Sequence, residues 1–305
     1  FEQLGVDVAA SEMSFSVQLP GQGLEWSGSN LNSVFAQRRN LLRPDFYRML
    51  ADLMRFNRLC TMLASAGQDG ALAQPIGKFL DEHRFGRPFR DWYLLPMVAC
   101  IWSCPTTQML EFPIGTLIRF CHNHGLLQVT DRPQWFTVRG GARHYVDKLL
   151  ASIQDARLST PVLSVQRSSD GAWVQTAQGR ERFDEVVMAG HSDQSLRLLG
   201  DDATTAERQV LGAIRYHRNR AVLHTDTALL PQRQRAWAAW NYEQGGQDRE
   251  VCLHYLLNRL QPLPWTTPVL VSLNPLRPID PTKVLGEFDY AHPVLDLAAV
   301  AAQAR

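Results

Sequence analysis

Residues 161–190 read PVLSVQRSSDGAWVQTAQGRERFDEVVMAG, and the fold turns on this stretch. Pro161–Gln166 is an apolar, β-branched run that predicts a strand. Ser168-Ser169-Asp170-Gly171 predicts a hairpin turn, because Asp-Gly supplies the positive φ that two-residue turns need. Ala172–Thr176 alternates, and Gln178-Gly179 turns the chain again. Asp184–Ala189 (DEVVMA) then reads as a continuous apolar run, the pattern of a strand buried on both faces. A helical segment, Ser192–Leu199, comes directly after it. A buried strand running through Ala189-Gly190 into a helix start is how α/β sheets present backbone N–H groups to a cofactor. An ordinary hairpin feeding an α/β crossover fits the same spacing.

The chain has 305 residues, 45% hydrophobic and 20% charged, which is ordinary globular composition with room for one large domain or two modest ones. A net charge of +1 gives no nucleic-acid footprint. The five cysteines are odd in number and irregular in spacing, against a disulfide scaffold. Cys121-His122-Asn123-His124 has no second ligand cluster at zinc spacing, so no metal is assigned. No stretch approaches the roughly 20 apolar residues of a membrane span. Phe1–Val6 reads as the tail of a helix capped by Gly5, and the lack of an initiating Met predicts a chain that is missing its first part.

Met13–Leu19 and Leu24–Ser27 predict two strands around Gly21-Gln22-Gly23. Asn40–Ala66 predicts an amphipathic helix starting near Pro44, with Leu50, Leu53, Met54, Leu59, Met62 and Leu63 as its apolar stripe. Gln68-Asp69-Gly70 ends it. Ile76–His83 is a short helix. Phe85–Pro105 is the most aromatic segment and is kinked or split by Pro96. Phe112–His124 is a helix, Leu126–Val129 and Trp135–Val138 are short strands, and Arg139-Gly140-Gly141 opens a helix over Ala142–Ile153. Thr204–Leu211 is helical, and Ala221–Thr225, Ala236–Tyr242, Val251–Leu257 and Val269–Leu273 are strands.

No G-x-G-x-x-G, G-x-x-x-x-G-K-[ST] or G-x-S-x-G occurs, and no Ser/His/Asp or Cys/His set is marked by spacing. His217, His224, His254 and His292 lie among strands and turns, where a histidine is more often structural than catalytic. Gly140-Gly141 before a helix lets a backbone approach an anionic ligand, or answers only a need for positive φ.

The order of Gly140-Gly141 and helix, strand PVLSV, hairpin, strand and DEVVMAG resembles the middle of the flavin-containing amine oxidase and phytoene-desaturase-like superfamily. It is most similar to bacterial NAD/FAD-binding, amine-oxidase-like proteins. The resemblance rests on FRDWYLLPMVACIWSCP (89–105), FCHNHGLL (120–127), RPQWFTVRGGARHYV (132–146), VVMAGHSDQSLRLL (186–199), YHRNRAVLHTD (216–226), AWAAWNY (236–242), LNRLQPL (257–263), SLNP (272–275) and AHPVLD (291–296). It implies an α/β (α+β) chain, the central part of a two-domain FAD-dependent oxidoreductase. A mixed-sheet and helical substrate domain (1–138 and 201–305) is joined to part of a doubly wound FAD domain (139–200). The family's dinucleotide fingerprint and C-terminal flavin segment are expected outside 1–305. FAD is the implied cofactor. Val162 maps to the backbone group that meets the adenine, and Ala189 and Gly190 map to the strand end beside the cofactor, with Gly140 and Gly141 as further candidates. No catalytic side chain is assigned. The chemistry implied is hydride removal to flavin in a dry pocket, which needs no strong general base. The apolar helices from Leu50 to Trp102 point to an apolar or lipid-like substrate, in a cytoplasmic protein that can touch a membrane surface peripherally. A non-catalytic binding module and an NAD(P)-linked reductase are the rival readings.

Overall fold

The computed structural model describes residues 1–66, 73–103, 105–129, 131–245 and 251–303. The predicted break at Gln68-Asp69-Gly70, and Cys104, lie outside the described residues. The chain divides into a larger unit, 1–147 with 217–292, and a smaller one, 148–216 with 293–305. It is an α/β protein with a mixed sheet, as expected.

In chain order the strands are β1 (Val8–Ser11), β2 (Phe15–Leu19), β3 (Leu24–Ser27), β4 (Trp135–Val138), β5 (Val162–Ser168), β6 (Gly171–Thr176), β7 (Gly179–Phe183), β8 (Arg215–His224), β9 (Trp240–Gln244), β10 (Val251–Leu256), β11 (Leu270–Leu273) and β12 (Val284–Val294). The main sheet runs β12-β8-β11-β10-β9-β2-β3, with β2 parallel to β9 and the pairs β2–β3, β9–β10, β10–β11 and β11–β8 antiparallel. β1 and β4 form a separate antiparallel pair.

One face of this sheet carries a buried polar row. Ser16, Asn241, His254 and Ser272 are successive cross-strand neighbours, and all are buried. Their bonding fixes the histidine tautomers. The Asp226 N–H donates to His224 Nδ1 (3.1 Å), so His224 carries its proton on Nε2 and donates to Ser272 Oγ (2.7 Å). The Ser272 hydroxyl then donates to His254 Nδ1 (2.7 Å), and His254 Nε2–H donates to the Glu243 carboxylate (2.9 Å). Arg277 closes the chain with Nε and Nη2 on the two Glu243 oxygens (2.9 and 3.1 Å). Both rings are neutral, and no donor in the chain is wasted.

The helix Pro44–Ala66 has Pro44 at its first position. Its buried face is Phe46, Met49, Phe56, Asn57 and Cys60, while Met54 and Met62 are exposed. The stripe predicted through Met54 and Met62 is therefore displaced around the helix: large aromatic rings took the core positions. Phe56 meets Phe89 at 5.3 Å and Phe85 at 5.6 Å, and Phe89 meets Tyr93 at 5.7 Å. Pro96 does not split its helix. A π-turn over Arg90–Leu94 leads into Leu95–Trp102. Pro96 has no N–H for the Trp92 carbonyl four residues back, and the indole N–H of Trp26 on β3 donates to it instead (3.1 Å). Leu126–Val129, expected as a strand, is turn and bend. Ala236–Ala239 precedes β9 as a 3₁₀ turn and loop, with Trp237 Nε1 donating to Pro231 O (2.7 Å).

In the smaller unit β5, β6 and β7 form an antiparallel sheet, and the helix Ser192–Leu199 packs on β5. The hairpin turn is Ser169-Asp170, and Gly171 is the first residue of β6. Glycine is required there by close approach: a Cβ would lie 2.3 Å from the Phe183 carbonyl oxygen. Asp184–Ala189 is not a strand. It is irregular backbone after a bend at Asp184, it pairs with no strand among the described residues, and Val187 is 89% exposed. Apolar content alone cannot make a strand without a neighbour to complete the ladder.

The buried row makes stability sensitive to acid. Burial, then the neighbouring His254, lowers His224 from 6.5 to about 4, with Asp226 opposing. Burial alone would push Glu243 up, but hydrogen bonds from His254 and Arg277 outweigh it and hold the carboxyl below its ordinary value. Both groups therefore stabilise the fold above their unfolded values and lose that contribution as pH falls. We expect urea-unfolding free energy to be flat above about pH 6.5 and to drop by up to about 3 kcal/mol towards pH 4 from His224 alone. The His224→Gln variant, which cannot titrate, should show a shallower slope in that window. Equal slopes would place the acid sensitivity elsewhere.

Candidate functional site

In the smaller unit, Val162, Ala189 and Gly190 line one cleft of about 440 Å³, together with Val187, Met188 and Gln194. The cleft is built from local rules. Val162 opens β5 beside a bulge, where the register shifts between Val162 and Ser164. The segment Glu185–Gly190 makes no hydrogen bonds through its backbone among the described residues. The next helix is firmly started: the Ser192 N–H donates to Tyr216 Oη (2.9 Å), and His191 stacks on the Tyr216 ring at 4.5 Å. At Gly190 an added Cβ would meet only Gln194 Oε1, at 3.4 Å. The result is an apolar wall edged by uncommitted N–H groups at a helix N-terminus, a surface suited to the flat ring and anionic groups of a nucleotide.

Gly140 and Gly141 lie in the larger unit, between β4 and the helix Arg143–Leu150. Both have positive φ, +76° and +93°. A Cβ on Gly140 would also lie 2.4 Å from His144 Nε2.

The larger unit holds an apolar pocket of about 70 Å³ between β2, β9 and the helix Leu95–Trp102. Tyr93, Met97 and Ile101 reach it from successive turns at i, i+4 spacing, opposite Phe15, Trp135 and Trp240. Tyr93, Met97 and Ile101 belong to the aromatic region expected to wall a pocket; the residues from Leu50 to Leu63 do not line it. Arg132 also lines it, and sequence reasoning gave that residue no role.

Two cysteine-bearing clusters test metal and thiol chemistry. Glu243, Cys252 and His254 place a carboxylate oxygen, Sγ and a ring nitrogen within 4.8 Å of one another. A cation there would have to displace the His254 Nε2 proton and the Arg277 guanidinium, so this set is better explained as the end of the buried hydrogen-bond chain. In Cys121-His122-Asn123-His124, His124 is stacked on Phe120 (4.1 Å) and Trp135 (5.4 Å), with Nδ1 on the Phe120 carbonyl (2.8 Å). Burial pushes the thiols of Cys121 and Cys252 up to about 12, and raises Cys60 and Cys100 as well. None of these four is a nucleophile. Iodoacetamide at neutral pH should leave all four unmodified in the native protein and label them in urea, read by peptide mapping; native labelling of Cys252 would reopen thiol chemistry at Glu243–His254.

Comparison with known proteins gives these features a context. The family model for flavin containing amine oxidoreductases matches residues 78–250, more than half of the chain. No curated protein matches the sequence. Solved structures share the fold at low identity. A putrescine oxidase variant matches at TM-score 0.57 and 12% identity, over 89% of this chain and 60% of that one. A conjugated-linoleic-acid-producing fatty acid isomerase from P. acnes matches at TM-score 0.65 and 13% identity, over 99% and 74%. Cyclohexylamine oxidase from Brevibacterium oxydans matches at TM-score 0.60 and 13% identity, over 99% and 75%. The chain thus spans less than two thirds of the putrescine oxidase. By the extent of the family match it belongs to the flavin-containing amine oxidoreductases, a family of FAD-dependent enzymes.

Proposed function

We propose that the protein works in an FAD-dependent oxidation that takes hydride from a C–H bond of an apolar, lipid-like substrate. The observation that carries this reading is the cleft of the smaller unit, where Val162, Ala189 and Gly190 come together against unpaired backbone. Their fit to FAD is chemical: apolar side chains for a flat ring, backbone donors for anionic groups, and a glycine where a side chain would crowd the ligand. FAD, when bound, supplies the hydride acceptor. The chain's part is to bind, to orient and to exclude water. Val162 and Met188 offer apolar contact, and the Gly190 backbone lies open on its cleft side.

The substrate class is supported by the pocket of the larger unit, whose walls are aromatic and aliphatic. The P. acnes neighbour is a fatty acid isomerase, so the shared fold accommodates lipid chemistry. No paired carboxylates or histidine base line the pocket, in keeping with a reaction that asks for positioning rather than strong general-base catalysis.

The test is the visible spectrum of the purified protein, before and after adding FAD and then gel filtration. Flavin bands that co-elute with the protein are expected; a folded protein that takes up no flavin would overturn the proposal, and uptake of NAD(P)H instead would favour a reductase. Gly190→Leu should lower retention by filling the cleft, while Gly190→Ala should fold normally and have a smaller effect. Unchanged retention in Gly190→Leu would remove Gly190 from the site.

A further inference from the structure

We propose that the apolar pocket of the larger unit selects an acid, with the guanidinium of Arg132 holding the carboxylate of a substrate whose remainder is apolar. The inference deepens the substrate reading above and rests on it. Among the residues lining the pocket, Arg132 is the only one with a charged side chain. The polar Ser14 hydroxyl is already committed: it donates to Glu12 and accepts from the Ala239 N–H (2.8 Å). Recognition of a negatively charged group in this pocket therefore falls to Arg132.

The guanidinium is held ready. Its Nε donates to the Gln128 carbonyl (2.8 Å), and its two Nη groups have no partner among the described residues. No ion pair among those residues neutralises it. The turn that carries it is pinned at both ends. Gly125, at φ +66°, leaves space that Pro133 fills, since a Cβ there would sit 2.4 Å from Pro133 Cδ. Trp135 is stacked on His124 at 5.4 Å. The charge also reaches the aromatic wall: burial pushes the Tyr93 phenol up, and Arg132 pulls it the other way.

This arrangement decides between two ligand classes. Aromatic walls alone would welcome an ammonium group. The exposed Arg132 guanidinium, lining the same pocket, repels one, and one face of Trp135 is already covered by His124. A carboxylate instead receives two parallel N–H donors from a fork whose third donor is anchored. The pocket is thus poorly suited to the charged amines that the family name would suggest.

The test is a tryptophan-fluorescence titration of the 305-residue protein, using Trp135 and Trp240 as reporters, with decanoate, decanol and decylamine below micelle formation. Decanoate should bind about tenfold tighter than decanol, and decylamine more weakly than either. Arg132→Gln should bring decanoate to the level of decanol and change decanol by less than about twofold, which shows that the pocket is intact. Arg132→Lys should keep the preference for acid over amine. Decylamine binding as tightly as decanoate, or an acid-to-alcohol ratio unchanged in Arg132→Gln, would overturn the proposal. Flavin absorbance on the same sample separates the two readings. Flavin uptake without acid preference sinks this inference alone, and acid preference without flavin sinks the oxidation and leaves the acid site standing.

Discussion

A carboxylate buried inside a sheet must be answered by charge and hydrogen bonds, and Glu243 sets that requirement for the larger unit. Stripping it of water without partners would cost several kcal/mol. Arg277 answers it from one side and His254 from the other. The His254 ring then needs a donor for Nδ1, which is Ser272; Ser272 needs a donor in turn, which is His224; and His224 is completed by the Asp226 backbone. Each group is forced by the one before it. Because side chains alternate faces along a strand, a slip of one residue in β8, β9, β10 or β11 would throw its member of the row to the other face and leave two neighbours unsatisfied. The row therefore specifies register as much as it stabilises.

The helical layer depends on a second forced bond. Pro96 frees the Trp92 carbonyl, and Trp26 takes it up from β3, so the helix is tied to the sheet where its hydrogen-bond ladder is broken. The π-turn ahead of Pro96 sets the phase of the helix Leu95–Trp102. Tyr93, Met97 and Ile101 consequently point to one side and wall the apolar pocket. A feature that looks like a defect in the sequence, a proline inside an aromatic helix, positions the wall of a candidate binding site.

Local features were legible in the sequence, and partner-dependent ones were not. The hairpin from Val162 to Thr176 and the helix Ser192–Leu199 depend on turns and periodicity within a few residues, and both were readable, whereas the third strand, expected at Asp184–Ala189, lies at Gly179–Phe183. Gly171 was readable for its positive φ (+148°), and the Phe183 carbonyl across the sheet adds a second constraint that no turn pattern encodes. Ser16, Gln18, Asn241 and Glu243 alternate with apolar residues as an exposed strand face would, yet all are buried. Their burial is made tolerable by partners on other segments: His254 and Arg277 for Glu243, the Leu229 carbonyl for Gln18, and the Ala238 and His254 backbone for Asn241, which in turn accepts from Ser16. Ala189 and Gly190 were marked by an apolar run leading into a helix start as well as by family resemblance, and Val162 by the resemblance alone. Arg132 gave no signal, because what distinguishes it is the apolar company it keeps in space.

The two units handle backbone and polar groups in opposite ways, and the contrast bears on function. In the larger unit the buried polar row is closed from Asp226 to Arg277, which suits a rigid frame for a pocket. In the smaller unit Glu185–Gly190 leaves its N–H and C=O groups uncommitted among the described residues and Val187 almost fully exposed. Covering Val187 alone would contribute on the order of 1.5 kcal/mol, and each amide that found a partner about another 1 kcal/mol. A strand already paired on both sides could offer a ligand neither term. The unpaired segment combines uncommitted backbone with exposed apolar surface directly before a helix start, which is the physical reason to place a nucleotide there.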